Sequence, residues 1–154
     1  MKTRTAVLTF LSVFVGLTMC FASNANLGTW KLNEAKSKLA AGTPKNMTVV
    51  YAASGDSIKG TIDGVDGEGK PTHNEWMGKF DGKDYPVTGD PNSDTRALKQ
   101  VDDHTLDITV KKAGKVTMTG RAVISADGKS RTVTISGTDA SGKKVESTAV
   151  YDKQ

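Results

Sequence analysis

From residue 28 to the end of the chain, apolar and polar side chains alternate with a period of two. In "HTLDITV" Leu106, Ile108 and Val110 fall on one face, in "RTVTIS" Val133 and Ile135 do, and "NMTVVY" sets Met47, Val49 and Tyr51 on one side. That period puts alternate side chains on the same face of a pleated strand. With turn signals recurring every 8–12 residues, it predicts strands over 28–33, 46–54, 57–64, 72–80, 83–88, 95–101, 104–112, 115–125, 130–138 and 144–152. The abundant threonine suits half-buried strands.

The connections read as hairpins. "SGDS", "VDGEGKP", "FDGKD", "KKAGK", "ADGKS" and "ASGKK" each place glycine beside Asp, Ser, Lys or Glu. Glycine supplies the positive φ of a tight turn. Short turns impose antiparallel neighbours, because a parallel return needs a dozen or more residues. The one gap able to hold a helix is "EAKSKLAAG", 34–42, closed by Gly42 and Pro44. The fold expected is therefore all-β: an antiparallel up-and-down meander of about ten strands with one short helical segment after the first. Closure into a barrel would remove the exposed edges of so long a sheet.

The first 25 residues follow a different rule. Lys2 and Arg4 precede an uncharged, mostly apolar run from Ala6 to Met19, followed by small residues. This is the layout of a secretory signal peptide, and the run is shorter than the roughly 20 residues of a membrane span. Cleavage fits after Ala22 or after Ala25, and Ser23 at −3 favours the second. The expected division is a signal peptide over 1–25 and one barrel domain over 26–154, secreted or periplasmic. Cys20 supports a rival reading, a lipid-anchored chain cut just before it, but Met19 stands where a small side chain belongs. If Cys20 leaves with the leader, the domain holds no cysteine, which excludes a disulfide, a thiol nucleophile or a cysteine metal site.

Charge changes the picture little. Without Lys2 and Arg4, 19 basic residues face 17 acidic ones, a net charge of +2. So small and dispersed an excess gives no case for nucleic acid or an anionic membrane as partner. The lysines of "GKD", "AGKV", "DGKS" and "SGKKV" read as solubilising hairpin tips. The chain reads as a monomer.

"GTWKL" at the start of the first strand, ten antiparallel strands, and "AVYDK" at the end together resemble the calycin superfamily, its fatty-acid-binding and lipocalin branches above all. Small secreted bacterial lipocalin-like proteins are similar as well. The resemblance implies a lipocalin-like β-barrel in which Trp30, after Gly28, plugs one end. A tryptophan there also makes physical sense as a core cap, since it buries a large area and needs a partner for its N–H. The resemblance further makes Trp30, Tyr151 and Arg121 the ligand-binding candidates, with departures. Fatty-acid-binding relatives close with Arg-x-Tyr, whose arginine holds a carboxylate; in "TAVYDK" Tyr151 is kept but Ala149 replaces the arginine. A buried carboxylate without its cation faces a penalty of several kcal/mol. Arg121 in "TMTGRAVIS" lies near a second family arginine, yet strict alternation turns it outward unless Gly120 forms a bulge. The inward face of the last strand, Val145, Ser147, Ala149 and Tyr151, is mostly small, which suits either a cavity or a narrow filled barrel.

Other constellations are weaker. His73 and Glu75 share a strand face, but a metal needs a third ligand and His104 begins a distant strand. Asp90, Asn92 and Asp94 are spaced like the opening of a calcium loop, but Thr95 and Val101 stand where its Gly and Glu belong. No metal site and no cofactor is expected. "YPVTGDPNSD" is still the most idiosyncratic stretch, and Tyr85, Asp90, Asn92 and Asp94 are candidates for surface recognition. There is no nucleophile elbow and no carboxylate pair in an apolar setting, so no enzyme is expected. Two functions remain: a non-enzymatic barrel binding a small apolar or amphipathic molecule, or a surface-recognition or structural envelope protein with a filled barrel.

Overall fold

The computed structural model describes residues 24–138, 142 and 144–154. Residues 1–23 of the expected signal peptide, Cys20 among them, lie outside the described residues. Ten antiparallel strands run up and down: β1 Gly28–Leu32, β2 Lys45–Ser54, β3 Ser57–Val65, β4 Pro71–Gly78, β5 Asp81–Thr88, β6 Thr95–Gln100, β7 Thr105–Lys112, β8 Lys115–Ile124, β9 Ser130–Thr138 and β10 Lys144–Lys153. Each pairs with its chain neighbours, and β1 pairs with β10, so the sheet closes into a barrel. No helix among the described residues is long and apolar enough to cross a membrane.

The helical expectation over 34–42 shrinks to one 3-10 turn, Glu34–Lys36. Asn33 caps it, its side chain accepting from the Lys36 N–H at 3.2 Å. Tertiary pairing then wins over local propensity. Lys38 exchanges two backbone hydrogen bonds with Thr148, at 2.7 and 2.8 Å. Ser37 Oγ accepts the Val150 N–H, and Ser147 Oγ accepts the Ala40 N–H. The segment is stitched along β10, where bonds to a fixed partner replace those a marginal helix would make with itself.

Register fixes which side chains face in. Tyr151 stands opposite Arg131, Ala149 opposite Val133 and Ser147 opposite Ile135. Those in turn oppose Ile124, Ala122 and Gly120, which continue to Leu106 and Ile108. Directly opposed residues share a face, so one unbroken band of side chains lines the interior of β7–β10.

At one end the band is solid. Trp30, Tyr51, Trp76, Leu98, Leu106, Ile124 and Tyr151 are buried there. The Trp76 and Phe80 rings stack with centroids 6.2 Å apart, and Tyr51 and Tyr85 meet Trp76 edge-on at 6.5 and 5.9 Å. Gly78 makes this possible, because a Cβ there would lie 2.5 Å from the Tyr85 ring and 2.7 Å from that of Trp76. Gly78→Ala is expected to lose about 1–3 kcal/mol by overpacking. Urea unfolding measures it; an unchanged midpoint would show that the rings yield freely.

The wall is thinnest between β4 and β5, where only Glu75–Thr88 and Trp76–Val87 are paired. Pro86 on β5 has no N–H to give to that ladder.

Candidate functional site

The plug comes first. Trp30 is fully buried, and its Nε1 donates to the Asn26 carbonyl at 2.9 Å. Around its ring sit two cations: Arg131, with its guanidinium carbon 6.0 Å from the ring centre, and Lys153 Nζ at 4.9 Å. Arg131 is only 2% exposed, lies 5.2 Å from the Tyr51 ring, and keeps a buried Nε without a hydrogen-bond partner. Two aromatic rings thus face this cation, an arrangement that gains attraction once water is excluded. Tyr151, its cross-strand neighbour, is buried as well. Burial pushes its phenol up to about 12, with Arg131 opposing and Tyr51 adding to the shift.

Arg121 lies elsewhere. Gly120 pairs regularly with Ile108 and Ile135, and the irregularity in β8 falls at Thr117, unpaired between Val116 and Met118. Arg121 therefore faces solvent, where its Nε and Nη2 donate to the Asp107 carboxylate at 2.7 and 3.2 Å. That contact holds Asp107 below its ordinary range and Arg121 above its own. The arginine expected near the ligand is a surface residue.

The surface-loop candidates divide. Tyr85 belongs to the aromatic packing, its hydroxyl donating to Asp81 at 3.0 Å. Asp94 is a strap: Lys112 Nζ and the Ala113 N–H donate to its two oxygens at 2.7 and 2.6 Å, lowering its pKa, the Ala113 bond foremost. Ala113 needs holding, being the one non-glycine among the described residues with positive φ, 50°. Asn92 serves the loop through its N–H, given to Asp90 at 2.8 Å. Asp90 alone reaches toward the barrel mouth. Its carboxylate accepts from Ser93 Oγ at 2.7 Å and lies 3.7 Å from Arg96 Nη2.

Arg96 is the residue that the motifs did not single out. It stands opposite Tyr85 and Val110 on the inward face, and its side chain is 12% exposed. Its other contact, Nη2 to Asn74 Oδ1, is long at 3.4 Å. Alternation in "TRALKQ" already pairs Arg96 with the fully buried Leu98, and alternation in "RTVTIS" pairs Arg131 with Val133. The signal was parity, applied to charged residues as well as apolar ones.

Across from Arg96, at the end away from Trp30, inward positions stay partly open. Ile108, Met118, Ile135, Val145 and Ser147 are half-buried, whereas Val110, directly opposite Arg96, is buried, as are Leu106, Ala122, Ile124 and Val133 nearer the plug. This end of the barrel thus carries apolar inward side chains on β7–β10 and the inward Arg96 and Asn74 on β6 and β4. Two surface depressions among the described residues lie elsewhere. One, about 290 Å³, is shallow at the plugged rim, beside Asn24, Phe80 and Gln100. The other, about 250 Å³, lies over the β4–β5 seam, beside Met77 and Pro86.

On the outer face of β3 and β4, His73 Nδ1 lies 2.6 Å from Asp63 Oδ1, and Glu75 pairs with Lys59 at 2.6 Å. No three His, Cys, Asp or Glu side chains are placed to share a metal ion among the described residues. No protein-family model matches this chain, and no curated protein does.

Proposed function

We propose that this chain is an exported, calycin-like barrel that binds a small amphipathic molecule without transforming it. The ligand's apolar body lies against Ile108, Met118, Ile135 and Val145, and its anionic head faces Arg96. The observation that carries this reading is the loosely held, inward Arg96. Its contacts at 3.4 and 3.7 Å lie beyond the 2.7–2.9 Å of a strong charge-assisted bond. An anion coming closer replaces Asp90 as the counter-ion and gains bonds that Arg96 now lacks. Apolar burial adds about 25 cal/mol per Å². The ten-strand closure and the buried Trp30 support the calycin resemblance.

Native mass spectrometry of protein purified from its own cell envelope tests for a bound molecule. A fluorescent probe carrying a carboxylate, set beside its neutral alcohol analogue, tests the head. Arg96→Leu is expected to weaken the carboxylate probe about 10–100-fold, the worth of a charged hydrogen bond, and to leave the alcohol within a factor of two. A clean apo mass with no dye enhancement would favour the surface-recognition reading, with the "YPVTGDPNSD" stretch, 85–94, making the contacts.

A further inference from the structure

Asn24, Ala25, Asn26 and Leu27 pack as part of the plug. Asn24 holds them together. Its Nδ2 donates to Gln100 Oε1 at 2.9 Å, its Oδ1 accepts from the Asn26 N–H and Nδ2 at 3.0 and 3.2 Å, and its carbonyl accepts the Leu27 N–H at 2.9 Å. The Ala25 carbonyl accepts Lys153 Nζ at 3.2 Å, and Ala25 and Leu27 pack on the core. Asn26 is fully buried, and its carbonyl caps the Trp30 indole.

These residues bear directly on where the leader ends. A cut after Ala25 removes Asn24 and Ala25 and takes the acceptors from the Asn26 and Leu27 N–H groups. It also leaves a terminal ammonium on buried Asn26, beside a ring already flanked by Arg131 and Lys153. Desolvation and like-charge repulsion both oppose a third cation there. A cut after Ala22 keeps every one of these bonds and places the new amine three residues upstream of Asn26. Ala22 at −1 and Cys20 at −3 are both small, as a signal peptidase requires.

We propose that the leader is removed at the Ala22–Ser23 bond, so that Asn24–Leu27 remain as the end plug of the mature barrel. The inference rests on the exported reading above. A signal peptidase adds water across the bond, leaving a carboxylate on Ala22 and an ammonium on Ser23. Cys20 departs with the leader, and the mature chain carries no site for lipid attachment.

The test is export of the full chain in a bacterium, followed by N-terminal sequencing and intact mass of the envelope form. The expected sequence is Ser-Asn-Ala-Asn. A chain beginning at Asn26 overturns the inference while export stands. A chain retaining Met1 sinks the exported reading and the inference with it, and a diacylglyceryl mass on Cys20 overturns both soluble forms. In the full chain carrying Asn24→Ala, the Asn26 amide is expected to exchange its hydrogen at least tenfold faster after processing, with a lower Tm. Unchanged exchange and Tm would show that the plug contributes nothing to the fold, which overturns the argument for the cut.

Discussion

Trp30→Ala lowers the stability of the barrel by about 3–5 kcal/mol, the expected loss for a large aromatic removed from a packed core. Three effects add in one direction. The indole is fully buried, so its apolar contacts vanish and leave a void. The Asn26 carbonyl loses its donor at 2.9 Å. Arg131, a buried cation, loses one of the two ring faces near it and keeps only Tyr51 at 5.2 Å. Urea unfolding of the two chains measures the sum. A loss under 1 kcal/mol would mean that the indole does not close the barrel. Trp30→Phe separates the terms, since it keeps most of the packing and the ring but not the N–H.

Tyr151 produces the second large effect, and it appears only in alkali. An ordinary phenol titrates near 10, whereas burial holds Tyr151 up to about 12 in the folded chain. Between those values the unfolded chain gives up the proton and the folded chain keeps it. The phenol's contribution is therefore complete below about pH 10 and is lost as pH rises through about 12. The slope of about 1.4 kcal/mol per pH unit makes the loss about 3 kcal/mol across that window. Tyr151→Phe removes this component, so its stability should fall less steeply than that of the parent over the same range. Lysine titration is common to both chains and cancels in the comparison. Parallel curves would show that Tyr151 titrates like an exposed phenol.

The framework was legible because alternation is a local property. A one-residue slip would send every inward side chain to solvent, so the pattern in "HTLDITV" fixes its face wherever the strand pairs. The same parity applied to Arg96 and Arg131 would have found the two inward arginines. It correctly opposed an inward Arg121, since alternation runs unbroken from Met118 to Ile124 and departs only upstream. The extra residue is Thr117, and Val116 is left 55% exposed on the outside. A bulge depends on the partner strand, and nothing near Thr117 announces it.

The candidate site was less legible than the framework. "GDPNSD" drew attention as a loop, yet its side chains divide between a strap for the β7–β8 turn, through Asp94, and a counter-ion at the mouth, through Asp90. That division depends on residues 18 or 19 positions away for Asp94 and on the folding back of β6 for Asp90. The 34–42 segment repeats the lesson. Its composition permitted a helix, and Thr148 on β10 made it mostly an extended strap.

By itself the sequence determined ten strands, their antiparallel order, the faces of most side chains and the indole as a candidate cap. These follow from periodicity and turn chemistry, which act over a few residues. Only the tertiary structure decided that Trp30 is flanked by Arg131 and Lys153, that Asn24–Leu27 complete the plug, that no bulge at Gly120 turns Arg121 inward, and that Asn74 and Asp90 flank Arg96. Those facts depend on which strands meet when the sheet curls shut and on where the register shifts, as it does in β2, β5 and β8. Contacts between residues as far apart as Asn24 and Gln100, 76 positions along the chain, exist only after closure.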